Sequence, residues 1–322
     1  MVLFYLGDIG IAEHLLNTFA ILKLWISKLV SIAIAIPNLN GAKYLHKTLK
    51  SLQNQIEKPD EIVFSDNFSN DESLEIVKLF PDLKIRVIQP DRLLTMSENW
   101  NYVADQTNSD WFFLLSNDDL LRDTAVERLK KIVSELAPNI GVVSFKSEII
   151  DENSRLSLGK CRFGKSKIRE EYEFLKQNIK FLHINAASVA IKKASWIDVG
   201  KFPHEYTVLH DLIFYQRVIM KWGILESKEV LGRYRIYHNR PKSEIRSNLV
   251  MQDFRTYEKT DLKFHIEKYP DLSVIYNSEV EHRSDSLIRV ATPINLLRKV
   301  VLSIMTTFRG IQELFNNSGF PN

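Results

Sequence analysis

The sequence predicts an α/β domain built on a mainly parallel sheet flanked by helices. Apolar, β-branched runs too short to be helices recur along the first half of the chain. Each run ends in a polar loop, and segments of helical periodicity separate the runs. The resulting order, β-α-β-α-β-α-β, is that of parallel strands joined by right-handed crossovers. At 322 residues with 45% hydrophobic and 26% charged side chains, the chain can bury a sizeable core.

Residues 30–36, VSIAIAI, read as a strand buried on both faces, and Pro37, Asn38, Leu39, Asn40 and Gly41 form the turn after it. A helix follows, with Tyr44, Leu45, Leu49 and Leu52 on one face. Residues 61–65, EIVFS, make a second strand that runs into the polar loop 66–71, DNFSND. Ser69 or Asn70 can cap the next helix, whose apolar positions are Leu74, Ile76, Val77 and Leu79. A third strand is expected at 85–88 and a third helix at 98–106.

The stretch 111–121, WFFLLSNDDLL, runs a buried strand straight into Ser116, Asn117, Asp118 and Asp119. Two adjacent acids repel each other unless a cation, a sugar hydroxyl or solvent compensates them. The alternative is a turn in which Asp119 caps a helix beginning near Leu120. Three polar loops at the carboxyl ends of neighbouring parallel strands would line one crevice. That crevice lacks a glycine-rich phosphate loop: neither GxGxxG nor GxxxxGK[ST] occurs. A bound nucleoside diphosphate would then need a metal ion or cationic side chains to offset its charge.

A formal net charge of +3 is far below the clustered basic excess of a nucleic-acid binder, so nucleic acid is not an expected partner. The single cysteine, Cys161, excludes an intrachain disulfide and fits a reducing compartment. A cleaved secretory signal is not expected, since Asp8, Glu13 and His14 interrupt the apolar start. Residues 15–30 instead have amphipathic helical spacing, which suits docking on the domain or lying on a membrane surface.

The blocks IAIPNLNGAKYLHKTLKSLQNQ, EIVFSDNFSNDES and SENWNYVADQTNSDWFFLLSNDDLL together resemble the nucleotide-sugar domain of family 2 glycosyltransferases of the GT-A fold, over roughly residues 31–232. The resemblance implies a donor site in which Pro37 and Asn38 border the nucleobase. Asp66 with Asn67 would hydrogen-bond base or ribose, and Asn99 would stand close to the donor. It implies that Asn117 and Asp118 contact the donor, and that Asp118 and Asp119 stand for a DxD-type motif holding Mg²⁺ or Mn²⁺. Two positions depart from the commoner family pattern: Ser116 replaces the first acid of DxD, and Asn67 the second acid of the earlier pair.

In the second half, a helix at 125–136 and strands at 141–145 and 148–150 precede a basic loop at 155–167. A strand ends the segment 185–192, NAASVAIK, which resembles the acceptor side of these enzymes, and a turn follows at Gly200 and Phe202. Read alone, Asp211 is a favourable carboxylate at the start of a helix. The resemblance makes it the acid of the family's [ED]D motif, the general base that removes the acceptor hydroxyl's proton, with His210 in place of the usual Glu or Gln. It also brings His238, one residue later than usual after Tyr234 and Arg235, towards metal or diphosphate. Residues 248–289 read as charged and helical, and 292–315 as a basic amphipathic helix that could fold back or lie on a membrane.

The expected organisation is an amphipathic segment (1–30), one GT-A domain (31–240, with a nucleotide half at 31–121 and an acceptor half at 140–240) and a helical C-terminal extension (241–322). The expected activity is that of an inverting, hexosyltransferase-type glycosyltransferase. It would move a sugar from a nucleoside-diphosphate donor to a glycan or lipid-linked acceptor, in bacterial surface-polysaccharide synthesis. Such an enzyme would work in the cytoplasm, with peripheral contact at the inner face of the membrane as an open alternative. The other readings are a non-catalytic nucleotide-binding or scaffold protein of the same fold, and a sugar-phosphate nucleotidyltransferase, whose glycine-rich basic loop PNLNG lacks.

Overall fold

The computed structural model describes residues 30–156, 165–180, 189–237 and 244–278. The chain divides into two compact units, Met1–His265 and Ile266–Asn322. In the second, residues 266–278 are described, with Leu272 and Tyr276 buried. The predicted amphipathic segments at 15–29 and 292–315 lie outside the described residues, as do Cys161 and most of the basic loop. Among the described residues no helix is long and apolar enough to cross a membrane.

The first unit is organised on one nine-stranded sheet. Its strands are β1 (Ile32–Asn38), β2 (Glu61–Asp66), β3 (Arg86–Ile88), β4 (Trp111–Leu114), β5 (Leu120–Leu121), β6 (Ile140–Ile150), β7 (Lys167–Ile168), β8 (Val189–Lys192) and β9 (Gly223–Arg235). The spatial order is β3-β2-β1-β4-β8-β6-β9-β5, with β7 beside β9. Pairing is parallel from β3 through β4 and again between β6 and β9, while β8 is antiparallel to both neighbours. The sheet is therefore mostly parallel, as the alternating pattern predicts. All seven residues of β1 and all four of β4 are buried, which is why both read as unbroken apolar runs.

Helices α1 (Ala42–Gln53), α2 (Ser73–Lys78), α3 (Met96–Asp105) and α4 (Ala125–Ser134) connect the strands, followed by α5 (Glu171–Lys180), α6 (Lys193–Asp198), α7 (His210–Lys221) and α8 (Glu244–Lys259). Tyr44, Leu45, Leu49 and Leu52 of α1 are buried as their spacing requires. Helix α3 begins two residues before the sequence-based start. Thr95 accepts the Glu98 N–H while Glu98 caps Thr95 in return, so Glu98 is the third helical residue and not the first.

Several other expectations are corrected. Neither Ser69 nor Asn70 caps α2, whose N-cap Glu72 makes no side-chain cap bond. Leu74 and Leu79 are exposed and only Val77 of that apolar set is buried, so α2 is a short surface helix. The two strands expected at 141–145 and 148–150 are one strand, β6, whose register against β9 shifts at three places. No helix begins near Leu120. Leu120 and Leu121 pair antiparallel with Arg233 and Gly232 of β9, so Asp119 is not a helix cap.

Candidate active site

At the carboxyl ends of β1, β2 and β4, the loops PNLNG, DNFSND and SNDD are bonded to one another through side chains. Asn38, buried at the last position of β1, is their hub. Its Oδ1 accepts from Asn117 Nδ2 at 2.6 Å, and its Nδ2 donates to Ser69 Oγ at 3.0 Å and to Asp66 Oδ1 at 3.4 Å. Asn67 forms a two-way clamp with the backbone of Leu94, through Nδ2 to the carbonyl at 2.9 Å and Oδ1 to the N–H at 2.8 Å. Asn99, on α3, accepts from Ser65 Oγ at 2.6 Å and donates to the Asn38 carbonyl at 3.4 Å. Pro37 lies inside β1 opposite Ser65, where it removes a ladder donor at the open end of the strand. The packing explains Gly41: a Cβ there would stand 2.2 Å from both Asn117 Nδ2 and Asn38 Oδ1, on top of the bond that joins the first and third loops.

The acids after β4 have different surroundings. Asp119 is buried, and its Oδ1 accepts the backbone N–H of Arg235 at 2.8 Å, fastening the loop to the end of β9. Asp118 is half-buried, and its Oδ2 accepts the Tyr237 hydroxyl. Burial, and then the charged Asp118 beside it, push the Tyr237 phenol far up, so it acts as a donor at any ordinary pH. Arg235 is buried with its guanidinium 4.4 Å over the Tyr44 ring, and its Nε donates to the Asp118 carbonyl at 2.8 Å. Its Nη1 donates to the Asp151 carbonyl at 2.8 Å and to Ser154 Oγ at 3.0 Å.

Helix α3 links this region to the turn before α7. Two residues after Asn99, Asn101 Nδ2 donates to the Phe202 carbonyl at 2.8 Å and its Oδ1 accepts the Phe202 N–H at 3.1 Å. The Phe202 ring meets His210 at 5.2 Å, and Gly200 takes the positive φ of +88° that the turn before Phe202 requires. His210 is buried, and that burial lowers its pKa and keeps the imidazole neutral. Asp211, half-buried, stands in the first turn of α7, where its Oδ1 accepts the Leu212 N–H at 2.7 Å.

The sequence model of Glycosyl transferase family 2 matches residues 33–195, which takes in all three strand-end loops described above. The chain belongs to that family. Solved structures of S. aureus TarS share the fold of this family 2 chain. TarS 1-349 is 18% identical with a TM-score of 0.58, the match covering 81% of this chain and 74% of that one. Its complex with UDP-GlcNAc is 18% identical with a TM-score of 0.55, covering 70% of this chain and 66% of that one. Its complex with UDP is 17% identical with a TM-score of 0.53, and there this chain covers 64% of the relative's length. No protein of curated function matches the chain. Family and sheet order together give the GT-A fold.

Among the described residues of this family 2 chain, no group of three or more His, Cys, Asp or Glu could hold a metal ion. The donor set therefore does not fit an all-protein cage. It fits the other mode open to Mg²⁺ or Mn²⁺, in which one or two carboxylates hold the ion and water and substrate phosphate supply the remaining oxygens. Of the two acids after β4, Asp118 is the more open, since Asp119 is buried against the end of β9. His238 lies outside the described residues.

Sequence reasoning missed Arg235 and Tyr237 as partners of the acidic loop, although the segment YRIYH had been singled out. It missed Asp253 and Asp261 altogether. Both are buried acids that grip the turn before α7, and a charged helical stretch gives no signal of which acid turns inward.

Proposed function

We propose that this glycosyltransferase moves a sugar from a nucleoside-diphosphate donor to a hydroxyl of a glycan or lipid-linked acceptor, with inversion at the anomeric carbon. The observation that carries the reading is the family match together with the joining of its three donor-side loops at Asn38. In this scheme the nucleoside binds among Pro37, Asn38, Asp66, Asn67 and Asn99, with Asn117 and Asp118 at the diphosphate end. Nucleotide-sugar binding in the related fold supports it: TarS 1-349 has been solved with UDP and with UDP-GlcNAc.

Asp118 would hold a divalent cation with the donor's diphosphate, and Asp119 would support it from behind. Such an ion supplies Lewis-acid stabilisation of the departing diphosphate. Asp211 takes the proton of the acceptor hydroxyl as its oxygen attacks the anomeric carbon. The C–O bond to the diphosphate breaks on the opposite face, and nucleoside diphosphate leaves with that electron pair. His210, kept neutral by burial, places no positive charge beside Asp211 that would weaken it as a base. A role in bacterial surface-polysaccharide synthesis, at or near the inner face of the membrane, is the setting proposed for such an acceptor.

The test is release of nucleoside diphosphate from a panel of nucleotide sugars by the purified protein with Mn²⁺ and candidate acceptors. Release from at least one donor is expected. Release from none would favour the non-catalytic reading.

A further inference from the structure

We propose that Asp253 is a positioning residue for the transfer reaction: from α8 it fixes the start of α7 and so the place of Asp211. The inference rests on the reading of Asp211 as the base. Asp253 is 1% exposed. Its Oδ1 accepts the Thr207 N–H at 2.9 Å, and its Oδ2 accepts those of Val208 at 2.6 Å and Leu209 at 2.8 Å. Leu209 is the N-cap of α7, where N–H groups have no partner within the helix, and Thr207 and Val208 are the two residues of the turn that lead into it. A local Ser, Thr, Asp or Asn usually meets that need, but Leu209 is the N-cap here and makes no side-chain cap bond. The carboxylate that does so comes from 44 to 46 residues further along the chain.

A second acid holds the same turn one residue earlier. The Tyr206 hydroxyl donates to Asp261 Oδ2 at 2.8 Å and lies 2.7 Å from Thr260 Oγ1. Arg217, about two turns into α7, closes on Asp261 at 2.6 Å. The peptide that delivers Asp211 is thus gripped by both Asp253 and Asp261, which lie beyond the stretch the family model matches. The Asn38 cluster touches neither acid, which separates the two functions: donor binding should not sense Asp253, and proton removal should. Catalytic groups must be held to within about 0.5 Å, and a displacement of about 1 Å can cost ~100-fold in rate.

The experiment compares wild type, Asp253→Asn, Asp211→Asn and the double variant for transfer kinetics and for calorimetric binding of the donor with Mn²⁺. Asparagine cannot replace all three accepted bonds. Asp253→Asn should therefore lower kcat by ~10–100-fold with donor affinity unchanged. In the Asp211→Asn background the same change should have no further effect on the residual rate, because it acts through that carboxylate. A purely structural role would instead weaken donor binding in step with kcat, or add its full loss in the double variant, and either result overturns the proposal. Full kcat in folded Asp253→Asn also overturns it. If Asp253→Asn fails to fold, Asp253→Glu carries the test, since it keeps both acceptor oxygens but moves them by one methylene. Lowered kcat with intact donor affinity supports the proposal there, and wild-type kcat overturns it. The underlying reading fails separately: Asp211→Asn with normal turnover removes the base, whatever Asp253 does.

Discussion

On the donor side, Asn38 is held by Asn117, Asp66 and Ser69, which stand in loops at the ends of neighbouring strands. On the acceptor side, the turn that leads to Asp211 is held by Asp253 and Asp261, acids from a later part of the chain. Both regions hold polar groups by side-chain hydrogen bonds, but they differ in what brings the partners together. Parallel strands β1, β2 and β4 end at the same edge by topology, so loops that follow them meet as soon as the sheet forms. The turn before α7 has no such neighbour and depends on packing of the helices that follow it. One region is thus specified by strand order and the other by long-range docking, so the two should fail in different ways.

The largest effect should come from the acceptor side. Asp211→Asn removes the proposed base and should lower kcat by ~10²–10⁴-fold, with donor affinity measured by calorimetry unchanged. A parallel loss of donor binding would erase the distinction between the two regions. On the donor side, Asp118→Ala should weaken binding of a nucleoside diphosphate in Mn²⁺ by about 10–100-fold, the scale of losing one charge-assisted contact. Titration without the metal should show a much smaller difference between wild type and variant.

A third change bears on how the donor loops are built. Gly41→Ala forces a methyl group into the bond between Asn38 and Asn117, and should reduce stability by about 1–3 kcal/mol in urea unfolding. It should also lower donor affinity while leaving the α7 turn intact. Unchanged stability would mean that the loops tolerate separation.

The smallest effect expected is a pH dependence belonging to the acceptor side. Burial holds His265 down to about 4 from its ordinary 6.5, with its Nδ1 2.8 Å from the Tyr257 hydroxyl, and burial lowers His210 as well. Each group takes up a proton more readily unfolded than folded. The stability each contributes is complete above the unfolded value and falls as pH drops, for His265 through the window from 6.5 to about 4. Melting temperatures across that window should fall more for wild type than for His265→Gln. An equal fall in both would assign the acid sensitivity elsewhere.

How much could be read from the chain alone follows the same division. The runs at β1 and β4 are legible because burial on both faces demands unbroken apolar residues, and their polar loops are legible because strand ends cluster. Helix α3 was legible in kind and displaced at its start, since Thr95 and Glu98 form a capping box that could have been recognised. Strand β9 was not legible: it is half-exposed, and the β6 facing it shifts register, so neither a continuous nor an alternating pattern survives. In sequence Asp118 and Asp119 are both expected metal ligands, with Asp118 alone also at the donor, and nothing local shows how each is held. The structure separates them, because β9 returns its Arg235 N–H to Asp119 and leaves Asp118 to Tyr237.

By itself the sequence determined the α/β class, the strands that meet at the donor edge and the residue types gathered there, because hydrophobic periodicity and turn chemistry are local properties of the chain. The tertiary structure alone decided which acid of the pair faces inward, which glycine has no room for a side chain, and which distant carboxylate caps α7. Those choices rest on hydrogen bonds between residues tens of positions apart, and a buried polar group takes whatever partner packing brings within about 3 Å.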